Sequence, residues 1–410
     1  MEHLVNTFHL SLPVDLVAKT SRLVIDIGGS LGKILVCSDE AWSNAMAEKR
    51  REVGCECCTF PLGSIEEAGK HLQKLIKFTP GVVVYATGIG CIENQAYLEK
   101  ILKVRLKILF ENRAAVCGLT YTLKEMSIGE YIHAHEDDID TFRKHLEELV
   151  KLNSKYVALY EEGAIAWKCH RLDEAYVADQ IKMLQNPKLQ ADRFPCILAT
   201  CGSLHAYQLV QADGSYSVHA PDFMGGKTLL GLASLLLNTQ DFAEILRLAS
   251  EGDNNVLDQT LVAYSSSLDV SHLNSAFFPF GRVPEPKQGR NYLDGISKNS
   301  IAASLMNLFI VKFVDSLRAT SISSGAKHVY LSGSFIHHRW IRRQVMLRLL
   351  LKDVTNYTFT GQVGLSRHRA MVLGNCPFQR LSFQTHFIRH APYLCSLGLM
   401  VEQAANQDKP

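Results

Sequence analysis

Asp26, Gly28, Gly29, Ser30 and Lys33 stand together in the stretch Leu23 to Val36, between two runs of aliphatic residues. The pattern predicts strand, tight glycine turn, strand. Glycine removes the Cβ where a backbone must come close to something else. A turn of bare N–H groups beside a carboxylate, a hydroxyl and an ammonium suits the terminal phosphates of a nucleotide. In that reading Asp26 orients a hydrated Mg²⁺ and Lys33 answers phosphate charge. An ordinary hairpin with a Gly-Gly turn accounts for the same residues, so the rest of the chain must decide.

A second carboxylate enters by position. Val82 to Thr87 is a mostly apolar run of the kind buried in a parallel sheet, and it ends in Gly88-Ile89-Gly90. Val104 to Phe110 alternates as the next strand, with Glu111 at its C-terminal end. Ligands of open α/β sheets sit outside the carboxyl ends of the strands, where Asp26, Gly88 and Glu111 all fall. Glu111 is therefore a candidate acid or base. Equally, it is a carboxylate stabilised by the macrodipole of the following helix, Ala114 to Lys124.

The elements that position these groups follow from pattern. Residues 1–20 read as a short amphipathic lead-in. Ser64 to Ile76 is an amphipathic helix, with Ser64 as N-cap and Glu67 completing a capping box. His133 to Leu152 is a charged segment whose His133, His135, Glu136, Asp137 and Asp138 resemble metal ligands, although a solvated helix start accounts for them better. Tyr156 to Trp167 reads as a strand pair and Asp173 to Asn186 as a helix.

The second half then repeats the first. Cys196 to Thr200 is an apolar strand, Cys201 to His205 a turn, and Ala206 to Val210 and Tyr216 to His219 are further strands. Two copies of one unit imply an internal duplication around a central cleft. Met224-Gly225-Gly226-Lys227-Thr228 opens a helix to Leu237, and a glycine pair there is a phosphate or ribose approach site. Helices Gln240 to Ser250 and Ile301 to Thr320, the latter capped by Ser297, precede a buried strand, His328 to Leu331, that ends at Ser332-Gly333-Ser334. A basic helix with His337, His338, Arg339, Arg342 and Arg343 follows. Tyr357 to Gly361 and Leu381 to Phe387 are strand candidates flanking a loop with Arg367 and Arg369, and Pro392 to Ala404 is a closing helix.

Composition bounds the remainder. The chain has 410 residues, 47% hydrophobic and 20% charged, which allows two or three domains with real cores. A net charge of +2 argues for neither nucleic acid nor a membrane surface. The N-terminus lacks a secretory pattern, and no run approaches the roughly 18 apolar residues of a membrane span. Eleven irregularly spaced cysteines fit a reducing, cytoplasmic setting rather than a disulfide framework. Cys55, Cys57 and Cys58 have no matching second pair for a structural zinc, so buried or edge-strand thiols are expected.

Taken in order, IDIGGSLGK (25–33), YATGIG (85–90), FEN (110–112), GGKTLLGLASLL (225–236), LASEGDNNVLD (248–258), SKNSIAASLMN (297–307), VYLSGSFI (329–336) and HAPYLCSLGLM (390–400) resemble the type II pantothenate kinases over most of residues 22–402. The resemblance implies an α/β, duplicated actin/hexokinase/Hsp70-like (ribonuclease H-like) two-lobed fold with a central nucleotide cleft. It implies lobes at 22–190, with a charged insertion near 129–152, and at 191–410, with dimerisation helices, after a lead-in over 1–21. The implied activity is ATP- and Mg²⁺-dependent phosphorylation of pantothenate to 4'-phosphopantothenate, the first step of coenzyme A biosynthesis. Glu111 takes the general-base position, Asp26 orients Mg²⁺, and Gly28, Gly29, Ser30 and Lys33 hold phosphates. Gly202, Ser203, Gly225, Gly226, Thr228 and Gly333 complete the nucleotide site. An acyl-CoA inhibitor and a homodimer, or a heterodimer with a paralogue, are implied as partners.

The chain departs from that pattern where substrate is held. GSGVS has become GSLHA, so Ala206 replaces a substrate-contacting serine, and Val218 stands where an arginine is expected. Losing a bidentate arginine weakens carboxylate binding, with His205 and His219 as candidates to compensate. ATGGG has become ATGIG, GGGT has become GGKT and HEGY has become HAPY. Leu204 and Lys227 are expected to crowd the phosphates and adenosine. A degenerate regulatory paralogue and a kinase for another small hydroxyl substrate are the alternatives.

Overall fold

The computed structural model describes residues 5–126, 136–162, 173–185, 193–260, 276–282, 293–359 and 384–407. The first sheet joins β1 (Val5–Pro13), β2 (Leu23–Ile27), β3 (Leu31–Val36), β4 (Glu52–Pro61), β5 (Val83–Thr87) and β6 (Arg105–Leu109) in the order β1-β4-β3-β2-β5-β6. The second joins β7 (Cys196–Cys201), β8 (His205–Val210), β9 (Tyr216–Asp222), β12 (His328–Ser332) and β13 (Gln384–Phe387) in the order β13-β12-β7-β8-β9. A short ribbon of β10 (Gln259–Thr260) and β11 (Ala276–Phe278) lies between them in sequence.

Without β1, the two sheets share one plan. An antiparallel meander, β2-β3-β4 or β7-β8-β9, is extended beside its first strand by two parallel strands, β5 and β6 or β12 and β13. The duplication inferred from pattern is thus present as topology, and the fold is the duplicated α/β actin/hexokinase-like arrangement. The same backbone device ends both sets of parallel strands. Gly88 after β5 has φ +88°, and a Cβ there would lie 2.2 Å from the Ile27 carbonyl oxygen. Gly333 after β12 has φ +106°, and its Cβ would lie 2.1 Å from the Cys201 carbonyl oxygen. Only glycine fits both the positive φ and the contact.

Several expectations are corrected. The N-terminal segment is β1 followed by a short helix, Val14–Ala18; it pairs with β4 through Phe8↔Cys57 to Pro13↔Glu52. Helix Asp39–Ala47 was not foreseen, although its signal is in the sequence: Ser38 caps it by accepting from the Ala41 N–H at 3.1 Å. Ser64 makes no side-chain cap, because the 3₁₀ turn Leu62–Ser64 runs into helix Ile65–Leu75 and denies it the extended conformation a cap needs. The expected strand pair from Tyr156 is helical as far as Glu161, within helix Ile139–Glu161, and its remainder through Trp167 lies outside the described residues. Tyr357 likewise belongs to helix Arg339–Phe359. His133, His135, Arg367 and Arg369 fall outside the described residues. Asp138 ion-pairs with Arg339 at 3.1 Å, so this carboxylate answers the basic helix.

Helix Lys298–Ser324, capped by Ser297 accepting from the Ser300 N–H, is long and apolar enough to cross a membrane, but most of it is buried in the core with Phe309 and Phe313. All nine described cysteines are free. The closing helix, Leu394–Gln407, follows the second sheet in sequence yet packs against helix Glu111–Glu125 beside the first. The two backbones touch through glycine: a Cβ on Gly398 would lie 1.7 Å from the Ala114 carbonyl oxygen, and one on Gly118 2.1 Å from that of Leu394.

That crossing makes a prediction. Gly398→Ala should destabilise the chain by about 1–3 kcal/mol, since backbone must move to admit the methyl. Gly231→Ala, in exposed helix with nothing within 4 Å of the new Cβ, should instead gain about 0.5–1 kcal/mol. Chemical denaturation of both variants checks the contrast.

Candidate active site

The candidate carboxylates meet because β2, β5 and β6 run parallel. Asp26 pairs with Thr87, and Thr87 with Leu109, so one row crosses the carboxyl ends of three strands. The Thr87 hydroxyl donates to the Leu109 carbonyl at 2.8 Å and fixes that row. Two residues on, Glu111 opens helix Glu111–Glu125. The Cys395 thiol from the closing helix donates to the Glu111 carbonyl at 3.9 Å.

Asp26 is 1% exposed, and the Lys33 ammonium donates to its Oδ2 at 3.1 Å. The pair is dictated by register, because Asp26 and Lys33 lie directly opposite each other on β2 and β3. Burial pulls the Lys33 pKa down. Asp26 first, then Cys395 and Glu111, pull it up further, so it stands above the ordinary lysine value. Lys33 is thus charged and engaged with Asp26.

Glu111 has the opposite character. The residue is exposed, yet protein atoms crowd its carboxyl, and Asp26 and Lys33 lie near enough for both charges to act on it. This burial first, and then the Asp26 charge, raise its pKa above the usual glutamate range, with Lys33 opposing. A plain helix-terminal carboxylate would be shifted down by the macrodipole. The direction favours the acid–base reading, because a carboxyl held above its usual range is better matched to proton transfer near neutral pH.

The two glycine turns come together. In the first, the Gly28 N–H donates to the Leu31 carbonyl at 2.9 Å, and Ser30 is exposed. In the second, the Gly202 N–H donates to the Leu204 carbonyl at 3.1 Å. The helix Gly226–Leu237 docks on this turn through Gly226 N–H to Gly202 carbonyl at 2.9 Å and Lys227 N–H to Ser203 carbonyl at 3.2 Å. Gly225 permits the docking, since a Cβ there would lie 2.5 Å from Leu204 Cα and from the Ser203 carbonyl oxygen. Across the cleft, a Cβ on Gly29 would lie 2.8 Å from Lys227 Nζ and 3.9 Å from Ser203 Oγ. Asp26, Gly28, Gly29, Gly202, Ser203, Gly225 and Gly226 therefore border one space. Thr228 is less engaged: its hydroxyl donates to the Phe223 carbonyl at 2.7 Å. Gly333 supports the turn from behind, against Cys201.

The substrate-side residues share a face of the second sheet. Val218 is opposite Gln208, and Ala206 is two residues away on the same strand. This face meets the first lobe, for Gln208 Nε2 donates to Asn112 Oδ1 at 2.7 Å. Sequence reading missed this bridge, although a glutamine alternating into the otherwise apolar end of β8 was its signal. Val218 is 47% exposed, an open apolar side chain where the resemblance places a cation. The expected compensation by histidine is not available. His205 is 1% exposed with its ring centroid 4.9 Å from that of Phe313, and burial lowers its pKa to about 4. His219 pairs with Tyr207 on the opposite face, where it lines a groove with Lys312.

For Mg²⁺ the donor set is suitable. Lys33 occupies Asp26 Oδ2, which leaves the other oxygen of that carboxylate for a hydrated ion. Such a set matches an ion that keeps most of its waters and binds mainly through substrate phosphates. A three-residue group, Glu56, Cys58 and His71, also has its ligand atoms within 4.8 Å of one another on β4 and the adjacent helix. Glu56 accepts there from the Cys58 thiol at 3.1 Å.

Comparison with known proteins narrows the reading. A family model described as Fumble matches residues 22–350. "Pantothenate kinase 1" of Arabidopsis thaliana is 26% identical over 235 residues, covering 50% of this chain and 59% of that protein. "Pantothenate kinase" of Schizosaccharomyces pombe is 20% identical over 408 residues, 94% of this chain and 83% of that protein. The chain spans well under two thirds of several other curated relatives, such as 16% of "Pantothenate kinase 2" of Arabidopsis thaliana. Among solved structures, a glucokinase from Balamuthia mandrillaris in complex with glucose covers 93% of each chain at 9% identity and a TM-score of 0.39.

The raised Glu111 pKa has a consequence for stability. A carboxyl whose pKa is higher folded than unfolded favours the fold while protonated, and loses that contribution as pH rises through the folded value. Glu111→Gln should therefore melt at a higher temperature than the wild type at neutral pH. The gap should close as pH falls below the ordinary glutamate range of about 4.3. Thermal melts of both proteins across this window measure it.

Proposed function

Because the chain belongs to the Fumble family, we propose that it transfers the γ-phosphoryl group of ATP to the primary hydroxyl of pantothenate, the entry to coenzyme A. The observation that carries this reading is Glu111: a carboxyl held above its usual pKa at the end of β6, in one space with Asp26 and Lys33. An alcohol attacks phosphorus poorly while it keeps its proton. Glu111 accepts that proton as the hydroxyl oxygen bonds to the γ-phosphorus; the bond to the β,γ-bridging oxygen breaks, and ADP leaves with the electron pair. The N–H groups of the Gly28–Ser30 and Gly202–Leu204 turns take the phosphate oxygens. Asp26, oriented by Lys33, would hold a hydrated Mg²⁺, which supplies charge neutralisation when bound.

The uncharged face of Ala206, Gln208 and Val218 supports a second reading. A site without a cation grips a carboxylate poorly. The chain would then act on a different small alcohol, or serve as a regulatory subunit beside an active paralogue.

Two measurements separate these readings. With labelled pantothenate and saturating ATP, the purified chain should form the phosphorylated product, and Glu111→Gln should turn over about 100- to 10,000-fold more slowly while still binding ATP. Absence of product from wild-type chain that binds ATP would leave only the second reading. Separately, Val218→Arg should lower KM for pantothenate by roughly tenfold or more, with kcat little changed, because a guanidinium restores a charge-assisted contact to the carboxylate. An unchanged KM would argue that pantothenate does not reach this face.

A further inference from the structure

The cation first expected to answer phosphate charge is engaged elsewhere. Lys33 is 14% exposed and ion-paired with buried Asp26 at 3.1 Å. The glycine turns themselves offer only neutral N–H groups. One other ammonium reaches them. Lys227, at the start of helix Gly226–Leu237, extends across the cleft from the second lobe until its Nζ and Cε stand 2.8 and 2.9 Å from the position of a Cβ on Gly29. Its root is fixed by the backbone bond from Lys227 N–H to the Ser203 carbonyl. Lys227 is exposed, and no carboxylate among the described residues lies within ion-pair distance of it.

The location is unfavourable for a cation without an anion. The lysine sits in the first helical turn, where the macrodipole disfavours positive charge, and no acidic residue occupies that turn. It also lies over a turn whose N–H groups carry partial positive charge. An anion alongside the two glycine turns, touching the ammonium, would satisfy all three.

Resting on the phosphate-site reading above, we propose that Lys227 is a polyphosphate-binding residue that closes the two lobes on the terminal phosphates of a nucleoside triphosphate. The glycine at position 29 provides the room its tail requires. Lys227 thus performs the charge-neutralising task that Lys33, held by Asp26, does not. This role also reverses the expectation that Lys227 only crowds the site.

Calorimetric titration of the full chain with ATP, AMP and inorganic tripolyphosphate, at low and high salt, tests the assignment. Lys227→Met should weaken ATP and tripolyphosphate by roughly tenfold to a hundredfold, as expected for a lost charge-assisted contact. It should flatten their salt dependence and leave AMP unaffected, while Lys227→Arg keeps most of the affinity. In the ligand-free chain Lys227→Met should not lower the thermal melt and, with the unfavourable charge removed, should raise it slightly. If wild-type chain binds ATP and Lys227→Met binds it equally or more tightly, the lysine assignment is overturned and the phosphate site stands. If wild-type chain binds neither ATP nor tripolyphosphate, the phosphate site itself falls, and the lysine assignment with it.

Discussion

The buried ion pair of Asp26 and Lys33 sets the terms of the cleft. A carboxylate 1% exposed cannot stay charged without a partner, and strand register places Lys33 directly across from it. Once paired, Lys33 has little reach toward the glycine turns. The pair also lies close enough to Glu111 for both charges to act on it, with opposite sign. Burial and Asp26 prevail over Lys33, so the Glu111 carboxyl is held above the usual glutamate range.

Around that pair, each half of the chain solves one steric problem in the same way. A parallel strand must end against the carboxyl end of the meander's first strand, closer than a Cβ allows. Gly88 does this against Ile27, and Gly333 against Cys201. The repeated contact is a physical sign of duplication where residue identity between the halves has vanished. The closing helix then ties the halves together, since its Gly398 meets Ala114 just beyond Glu111. Glu111 and the contact that ties the lobes thus share one helix, Glu111–Glu125.

The charged groups of the cleft gather at one end. Groups on the phosphate side, from Asp26 to Gly226, border one space. The substrate side presents Ala206, Gln208 and exposed Val218. Its one polar member is turned toward Asn112 of the other lobe. Such a face offers shape and a lobe-to-lobe bridge in place of a carboxylate clamp. The departures from the pantothenate kinase pattern therefore fall both on the turns, at Leu204 and Lys227, and on the sheet face, at Ala206 and Val218.

Local order was legible in the sequence. Alternating or continuous apolar runs marked β2, β3, β5 to β9 and β12 nearly at their observed bounds, because burial of one or both strand faces leaves a direct mark on residue type. The glycine turns and Glu111 were legible too, since position at a strand end is a local property. The errors share a cause. β1 pairs with β4, a partner far along the chain, and Ser64 is overruled by the turn that precedes it. Chain order also suggests that the last helix lies with the second lobe, yet it packs against Glu111–Glu125. Side-chain direction was likewise beyond reach: His205 and His219 carry the right chemistry but face away from Val218, which only strand register decides. The sequence by itself determined the duplicated units and the residues able to do chemistry, because those follow from type and periodicity. Which cation faces which carboxylate, and that Lys227 arrives over Gly29 from the opposite lobe, was decided only by tertiary structure, since charges distant in sequence interact through the space that folding creates.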